Sequence, residues 1–319
     1  SRTRPTLAAS QACWATTMSA TYRRRWFSSR AAAAREASLE ALARAEPAEV
    51  LAEWAGLGYY RRARQLHAAE DPHAKQFRRF GRLPRYLHIL VIISFLSLAV
   101  TGMTLKFSYL GWAQSISHWL GGFQGAGLIH RLAALVTFFY FGRHLVDLFS
   151  KRRAAGVSWK EFIFGKDSMM LNKRDGQEFL QTIRWFVGMG PRPEYGRWTY
   201  WEKFDYFAVF WGVAMIGFSG LVLWFPEAFT YFLPGWFINV ATIIHSDEAL
   251  LAVGFIFTIH FFNTHFRPDK FPMDPVIFTG RMTIDELKHD KPAEYERLVA
   301  EGKLEEHMVG PHPRMGERA

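Results

Sequence analysis

The chain has 319 residues, a formal net charge of +10 and a single cysteine, Cys13. One cysteine excludes a disulfide framework, a four-cysteine iron–sulfur cluster and covalent c-type haem attachment within this chain. The mean hydropathy of −0.05 taken alone resembles that of a soluble protein. Apolar residues are, however, concentrated between Leu87 and Phe266, whereas both ends are charged. A basic excess is compatible with nucleic acid, anionic lipid or a topology signal, and its placement decides between them.

The first predicted region is an N-terminal extension, residues 1–76. Residues 1–36 are rich in Ala, Arg and Ser and poor in acids, which favours a disordered or weakly helical basic segment over a transit peptide. Residues 38–69 resemble a helical stretch of bacterial adenine-specific DNA mismatch glycosylases, most distinctly at WAGLGYYRRARQLH. That family's downstream helix-hairpin-helix and four-cysteine cluster have no counterpart in the sequence. We therefore expect a helical fragment without glycosylase activity, and no nucleic-acid partner.

Four apolar stretches follow, each long enough to cross the hydrocarbon core, which needs roughly 20 helical residues. They run from about Leu87 to Phe107, Gly127 to Phe149, Phe204 to Phe225 and Val240 to Phe266. The sequence thus predicts an all-α membrane protein, with a four-helix transmembrane domain at 77–270 and a C-terminal tail at 271–319. In the tail, TIDELKHDKPAEYERLVAEGKLEEH is typical of a soluble amphipathic helix and GPHPRMGERA of a flexible end.

Basic residues predict the orientation of these four spans. They cluster before span one, after span two and after span four, at Arg78, Arg79, Arg82, Arg85, Lys151, Arg152, Arg153, Arg267 and Lys270. The connections on the other side, 111–126 and 226–244, contain no Lys or Arg. Both termini and the long loop between spans two and three are therefore expected in the cytoplasm, and the basic excess is mostly a topology signal.

Five histidines lie in or at the ends of the spans, where ionisable side chains are costly and are functional candidates by default. They are His88, His130, His144, His245 and His260. The pair in span two is 14 residues apart and the span-four pair, His245 and His260, is 15 apart. At about 100° per residue, each pair lies within roughly 40–60° of four whole turns and shares a helix face.

Two facing helices with paired histidines at two levels can hold two stacked haems, each with two axial imidazoles. Such bis-histidine haems leave no open position for substrate, so they transfer electrons and do not activate oxygen. The alternative is a haem-free membrane anchor in which the histidines make structural hydrogen bonds.

Glycines and arginines near the histidines fit the haem hypothesis and also have simpler explanations. The glycines of spans one and three allow close approach of a macrocycle or of a neighbouring backbone. They are Gly102, Gly212, Gly217 and Gly220. Arg131 and Arg143 each adjoin a span-two histidine and are candidate partners for haem propionates, or plain snorkelling residues.

Residues 85–298 resemble the cytochrome b (gamma) subunit of membrane-bound formate dehydrogenases and the related hydrogenase and thiosulfate-reductase cytochromes. The resemblance is carried by RYLHILVIISFLSLAVTGM, GLIHRLAALV, EKFDYFAVFW, GLVLWFPE, IIHSDEALLAVGFIFTIH and GRMTIDELKHDKPAEYERL. Its specific part is the order of the histidine-bearing spans: first, second and fourth. It implies a multi-pass protein of a bacterial inner membrane with two b-type haems. The implied partners are iron–sulfur and catalytic subunits of a formate dehydrogenase-like complex, with menaquinone or ubiquinone.

Carried over, the resemblance implies His130 and His245 as ligands of an outer haem, and His88 and His260 as ligands of an inner one. The span-four histidines stand one residue further apart than in that family, which predicts a local adjustment of the helix. Depth alone makes His144 an alternative inner ligand, since it and His260 each lie seven residues before the basic boundary. In the family pairing, His144 instead lies beside the haem or the quinone.

The resemblance also implies a quinone site near the inner haem, at the cytoplasmic start of span three. Lys203 occupies the family position there. Glu202 is a candidate acceptor of quinol protons, or simply a helix-start carboxylate favoured by the helix dipole. The polar residues that the family carries just before Lys203 are replaced by Thr199, Tyr200 and Trp201. The predicted function is electron transfer between a partner oxidoreductase and the quinone pool, in a direction that the sequence leaves open.

Overall fold

A computed structural model describes residues 75–267, 270–271 and 273–310, and assigns Lys75–Gly310 to one compact unit. The basic segment and the glycosylase-like segment of the N-terminal extension lie outside the described residues. So does the predicted flexible end, except for its first residue, Gly310.

Helices make up most of the described chain. In chain order they are α1 (Arg82–Lys106), α2 (Gly111–Trp119), α3 (Gly122–Ala155), α4 (Trp159–Phe164), α5 (Lys173–Phe186), α6 (Tyr200–Trp224), α7 (Pro226–Thr230), α8 (Trp236–Phe266), α9 (Val276–Thr279), α10 (Ile284–Asp290) and α11 (Pro292–Ala300). Within the described ranges, α1, α3, α6 and α8 are the four that are long and apolar enough to cross a membrane. They correspond to the four predicted spans, and each begins four or five residues earlier than predicted.

The outward surfaces of the four long helices are apolar. Ile93 of α1, Phe139 of α3 and Leu251 of α8 each expose more than half of their surface. An apolar surface of this extent is unfavourable in water, and a bilayer is the solvent that suits it. The four helices therefore indicate a helical membrane protein.

The long helices form a closed bundle. Helix α1 packs along α3, α3 contacts the middle of α6, α6 packs on α8, and α8 contacts α1. Side chains from α1, α3, α6 and α8 can therefore meet in the interior of the bundle, as in other helix bundles that hold cofactors.

Two of the spanning helices depart from α geometry. Helix α6 has a π-helical turn at Val213–Gly217, and α8 has two, at Ile256–His260 and Phe262–Phe266. A π turn accommodates one extra residue and is frequent at functional sites. The first π turn of α8 lies between His245 and His260, where the sequence predicted a local adjustment. Absorbing one residue gives this pair about the angular register of a 14-residue α-helical spacing.

A three-stranded antiparallel sheet lies at the end of the bundle where α1 begins. Its strands are β1 (Gln76–Arg78), β2 (Arg281–Met282) and β3 (Met308–Val309), in the order β2-β1-β3. Phe77 of the central strand is fully buried, in a cluster with Leu287 and Leu298 of the tail helices. We call this end of the bundle the sheet end. The all-α prediction did not include the sheet, because strands of two and three residues give no periodic pattern.

The tail predicted as an amphipathic helix forms two helices. Helix α10 starts with a capping box formed by Thr283 and Glu286, and α11 starts at Pro292, whose ring favours a first helical turn but cannot continue a preceding helix. Glu294 of α11 is buried and accepts hydrogen bonds from Arg197 and Arg297, at 3.3 and 2.7 Å. Because Arg197 belongs to the loop between α5 and α6, this ion pair joins the tail to that loop.

Glu294→Ala is expected to lower the thermal stability of the full chain in detergent. Removing one partner of a buried ion pair costs roughly 3–5 kcal/mol, and the lower end applies because both arginines are about one quarter exposed. Glu296→Ala is the matched control, since Glu296 is exposed on the same helix and such changes stay within about 0.5 kcal/mol. Equal losses of Tm in the two variants would contradict this role for Glu294.

Candidate functional site

His130 of α3 and His245 of α8 face each other inside the bundle, away from the sheet end. Their ring centres are 6.0 Å apart, and the ring planes are inclined by 73°. Both side chains are half-buried. The structure thus brings together the two residues that the resemblance implied as one ligand pair.

Hydrogen bonds fix the tautomer of both rings. His245 Nδ1 lies 2.9 Å from the carbonyl oxygen of Ile216, which can only accept, so Nδ1 carries the proton. His130 Nδ1 lies 2.9 Å from the Thr101 hydroxyl, whose own proton is donated to the carbonyl of Ser97. The hydroxyl therefore accepts from His130 Nδ1. In both neutral rings Nε2 keeps its lone pair, which is the atom that ligates a metal.

The π turn of α6 explains how a backbone carbonyl reaches His245. Ile216 lies within this turn, and a π turn disturbs the regular ladder of backbone hydrogen bonds. The Ile216 carbonyl can therefore accept a bond from a side chain of α8.

Two of the predicted glycines contact the imidazole rings directly. A Cβ added at Gly102 would lie 3.4 Å from Cε1 of His130, and one added at Gly220 would lie 2.9 Å from Cε1 of His245. The other two glycines have different neighbours. Gly217 lies against the ring of Phe138, and Gly212 against Ile216 of its own helix. The sequence predicted that a macrocycle or a backbone approaches these glycines. At Gly102 and Gly220 the group that approaches is a histidine ring.

A second pair of histidines lies nearer the sheet end. His88 of α1 is within electrostatic range of His260 of α8. His260 Nδ1 donates to the carboxylate of Asp205 at 2.9 Å, which again leaves Nε2 with its lone pair. Nδ1 of His88 and Oδ1 of Asp205 are buried without a hydrogen-bond partner among the described residues. Buried polar atoms without partners are costly and rare, so the contacts of the described residues leave these two atoms unexplained.

His144 has different neighbours. Its Nε2 lies 2.8 Å from the hydroxyl of Tyr206 on α6, and its ring packs edge-on against Tyr206 and Phe210. Within the described part of the chain, no hydrogen bond or ring contact joins His144 to His260. His144 therefore packs against α6. Its Nε2, the nitrogen with which it would bind haem iron, is hydrogen-bonded to Tyr206.

The two arginines next to the span-two histidines behave differently. The Arg131 guanidinium lies 5.7 Å from the ring centre of Trp224, a cation–π contact. Arg143 is exposed and has no ion pair or hydrogen bond to another described residue. The pairing of these two side chains with haem propionates stays a prediction.

Glu202 is a helix-start carboxylate. It forms a capping box with Thr199 at the beginning of α6, and its oxygens also bind Lys291 and lie 3.7 Å from Arg79. Burial lowers the pKa of the Lys291 ammonium to about 8, although the Glu202 carboxylate acts in the opposite direction. Glu202 is thus a carboxylate at a helix start, as one of the two interpretations of the sequence had it. The cations Lys291 and Arg79 stabilise its negative charge further.

Lys203 forms a buried ion pair with Asp175 at 2.9 Å. Asp175 itself belongs to the capping box of α5, so this contact fixes α5 against the start of α6. Both residues predicted for the quinone site are therefore engaged in ion pairs within the protein. A quinone that used Glu202 or Lys203 would have to replace one of these contacts.

Sequence reasoning did not single out Thr101, Asp205 or Tyr206. Asp205 had a usable signal, because an acid inside an apolar span is a functional candidate by default. Thr101 and Tyr206 had none, because hydroxyls are common in membrane helices and only tertiary contacts show which histidine each one binds.

Comparison of the chain with protein-family models and with curated proteins gives no match. Its function is therefore inferred from the geometry of these sites.

Gly220→Ala is expected to displace the His245 ring and lower the Tm of the full chain in detergent, because the added methyl would lie 2.9 Å from that ring. Overpacking of this kind costs about 1–3 kcal/mol. Gly254→Ala on α8 is the matched control, since its Cβ would meet no atom within 4 Å. A Gly220 variant as stable as the Gly254 variant would show that the ring is not held against Gly220.

Proposed function

We propose that this chain is a membrane di-haem cytochrome b subunit that carries electrons between a partner oxidoreductase and the quinone pool. The observation that carries the proposal is the His130–His245 pair, with ring centres 6.0 Å apart. A metal–imidazole bond is about 2 Å long and the ring centre lies about 1 Å beyond the nitrogen. Two imidazoles on opposite sides of one iron thus have ring centres about 6 Å apart, in agreement with this pair.

His88 and His260 support a second site of the same kind nearer the sheet end. The buried, unpaired atoms of His88 on α1 and Asp205 on α6 support a further group at this level of the bundle. A b haem held by two imidazoles accepts and passes on one electron. This activity makes the chain an electron-transfer subunit, while a partner subunit oxidises the substrate.

Neighbouring groups would hold three of the four imidazoles ready for ligation. Thr101 and the Ile216 carbonyl keep the Nδ1 protons of His130 and His245 in place. Asp205 accepts the Nδ1 proton of His260, and a carboxylate in this position orients the ring and makes it a stronger ligand.

Geometry favours His88 over His144 as the second inner ligand. Helix α1, which carries His88, contacts α8, whereas Nε2 of His144 is taken up by Tyr206. On this pairing His144 is a neighbour of the inner site on the α6 side.

The proposed setting is a bacterial inner membrane with the sheet end in the cytoplasm. Basic residues at the start of α1 and the end of α3 support this orientation. The proposed partners are the iron–sulfur and catalytic subunits of a formate dehydrogenase-like complex, with menaquinone or ubiquinone as the membrane substrate. Glu202 and Lys203 remain the candidates for the quinone site.

The proposal predicts two b haems per chain. A pyridine haemochrome assay and a reduced-minus-oxidised spectrum of the detergent-purified full chain measure this number. His88→Ala should reduce it to one because an axial ligand is lost, and His144→Ala should leave it at two. His118→Ala on α2 is the control, because that histidine is exposed.

Other outcomes separate the alternatives. Loss of one haem in the His144 variant, with two kept in the His88 variant, would assign the inner ligand to His144. No haem in the unmodified chain under haem-replete expression would leave a membrane anchor and would contradict the proposal.

Asp205→Asn is expected to keep both haems and to raise the midpoint potential of one of them. The variant removes the negative charge of Asp205 beside the His260 ring. This makes His260 a weaker ligand for iron, and the oxidised state loses more stability than the reduced state. A tenfold change in relative affinity of the two oxidation states corresponds to about 60 mV for one electron, and we expect a shift of this order. Glu248→Gln is the control, a carboxylate of α8 that bonds Trp211 and no histidine. Equal potentials in both variants would contradict a positioning role for Asp205.

A further inference from the structure

A cavity of about 390 Å³ opens at the sheet end, between the segment before α1, the end of α3 and the loop before α6. Its charged lining consists of Arg78, Arg79, Arg82, Lys151, Arg197 and one acid, Asp147. We call it the basic cavity. The candidate haem ligands, Glu202 and Lys203 do not line it, although Glu202 lies 3.7 Å from Arg79 in its wall.

Part of this positive charge is balanced within the protein. Lys151 pairs with Asp147 at 2.7 Å, and Arg197 pairs with Glu294 at 3.3 Å. Arg78 and Arg82 are exposed and have no ion pair or hydrogen bond to any other residue of the described ranges. The basic cavity therefore keeps at least two uncompensated guanidinium groups at its rim.

Arg79 adds a donor from inside the wall. Its side chain is only 3% exposed, and its guanidinium lies 4.5 Å from the ring centre of Trp198. One terminal nitrogen donates to the carbonyl of Arg197, whereas the other, Nη1, is buried with no partner among the described residues. A buried donor without an acceptor is unfavourable. An anionic oxygen in the cavity would supply that acceptor.

The position of the cavity selects the kind of anion. Its wall includes Leu83 and Pro84 in the first turn of α1 and Lys151 near the end of α3, so it lies where two spanning helices end. Arg82 shares a face of α1 with Tyr86, Ile89 and Ile93, since they follow it at intervals of three and four residues. All three apolar side chains are exposed. A guanidinium-lined cavity thus continues into an apolar, lipid-facing surface.

We propose that the basic cavity binds the phosphate of an anionic phospholipid, whose acyl chains lie along the exposed face of α1. Arg78 and Arg82 bind the phosphate oxygens at the rim, as guanidinium groups do through paired hydrogen bonds, and Arg79 Nη1 donates from the wall. Basic pockets beside membrane helices on the cytoplasmic side are suited to such headgroups. This inference rests on the spanning helices, the cavity and the proposed orientation, and it is independent of the haem proposal.

The test is a lipid titration of the full chain, delipidated in a non-ionic detergent. Phosphatidylglycerol, phosphatidylcholine and inorganic phosphate are added separately, and bound lipid is counted by native mass spectrometry while Tm is recorded. The Arg78→Gln/Arg82→Gln variant removes the rim guanidiniums. Arg153→Gln/Lys160→Gln is the control, because it removes the same charge from exposed residues outside the cavity.

The proposal expects phosphatidylglycerol to bind and to raise Tm, with phosphatidylcholine much weaker. The rim variant should lose about tenfold or more in affinity, since a hydrogen bond to a charged group is worth about one such factor. The control variant should bind as the unmodified chain does.

Three results would overturn the proposal. Equal binding of phosphatidylglycerol and phosphatidylcholine by the unmodified chain would exclude an anion-selective site, whatever the variants do. Inorganic phosphate that binds as tightly as phosphatidylglycerol and displaces it would assign the cavity to a free anion and not to a lipid. Equal losses of affinity in the rim and control variants would show that the lipid responds only to the net charge of the protein.

Discussion

The interior of this bundle depends on one constraint, that an imidazole N–H group in an apolar span is costly unless a neighbouring group in the protein accepts its hydrogen bond. His130, His245 and His260 satisfy it in the same way, through Nδ1, although the acceptor is a hydroxyl, a carbonyl or a carboxylate. The choice of Nδ1 leaves Nε2 as the basic nitrogen in each ring. The bonds that make the histidines tolerable in lipid thus also suit the ligand role that we propose for them.

The sheet end solves a different problem, which is how to hold the start of α6 in one rotational setting. Glu202 is bound by two cations and Lys203 by a buried acid, so two successive residues of the first turn, which point about 100° apart, are both held. Buried ion pairs add little net stability, but breaking one is costly, and this defines the orientation of the helix. Asp205 follows in the next turn and therefore reaches His260.

Hydropathy sufficed to predict the four spans, whereas histidine spacing predicted shared helix faces without identifying the neighbours of each ring. The helix starts differed because polar residues in the first turn, such as the capping pair Thr199–Glu202, extend a helix beyond its apolar part. The contact of His144 with Tyr206 could not be predicted from the sequence. Helix periodicity places a residue on a face but does not identify the neighbouring helix. The extra residue in α8 was visible as the spacing of 15 residues between His245 and His260. The π turn that ends at His260 accommodates this residue.

The strand order at the sheet end has a consequence for biosynthesis. Strand β1 precedes every spanning helix, yet its partners β2 and β3 both follow the last one. Phe77 therefore has no strand to pair with while the four helices enter the membrane, and the residues that bury it, among them Met282 and Leu298, are all translated later. The sheet can therefore be completed only after the last spanning helix has been made, so the cover of Phe77 at the start of the described chain depends on the residues at its end.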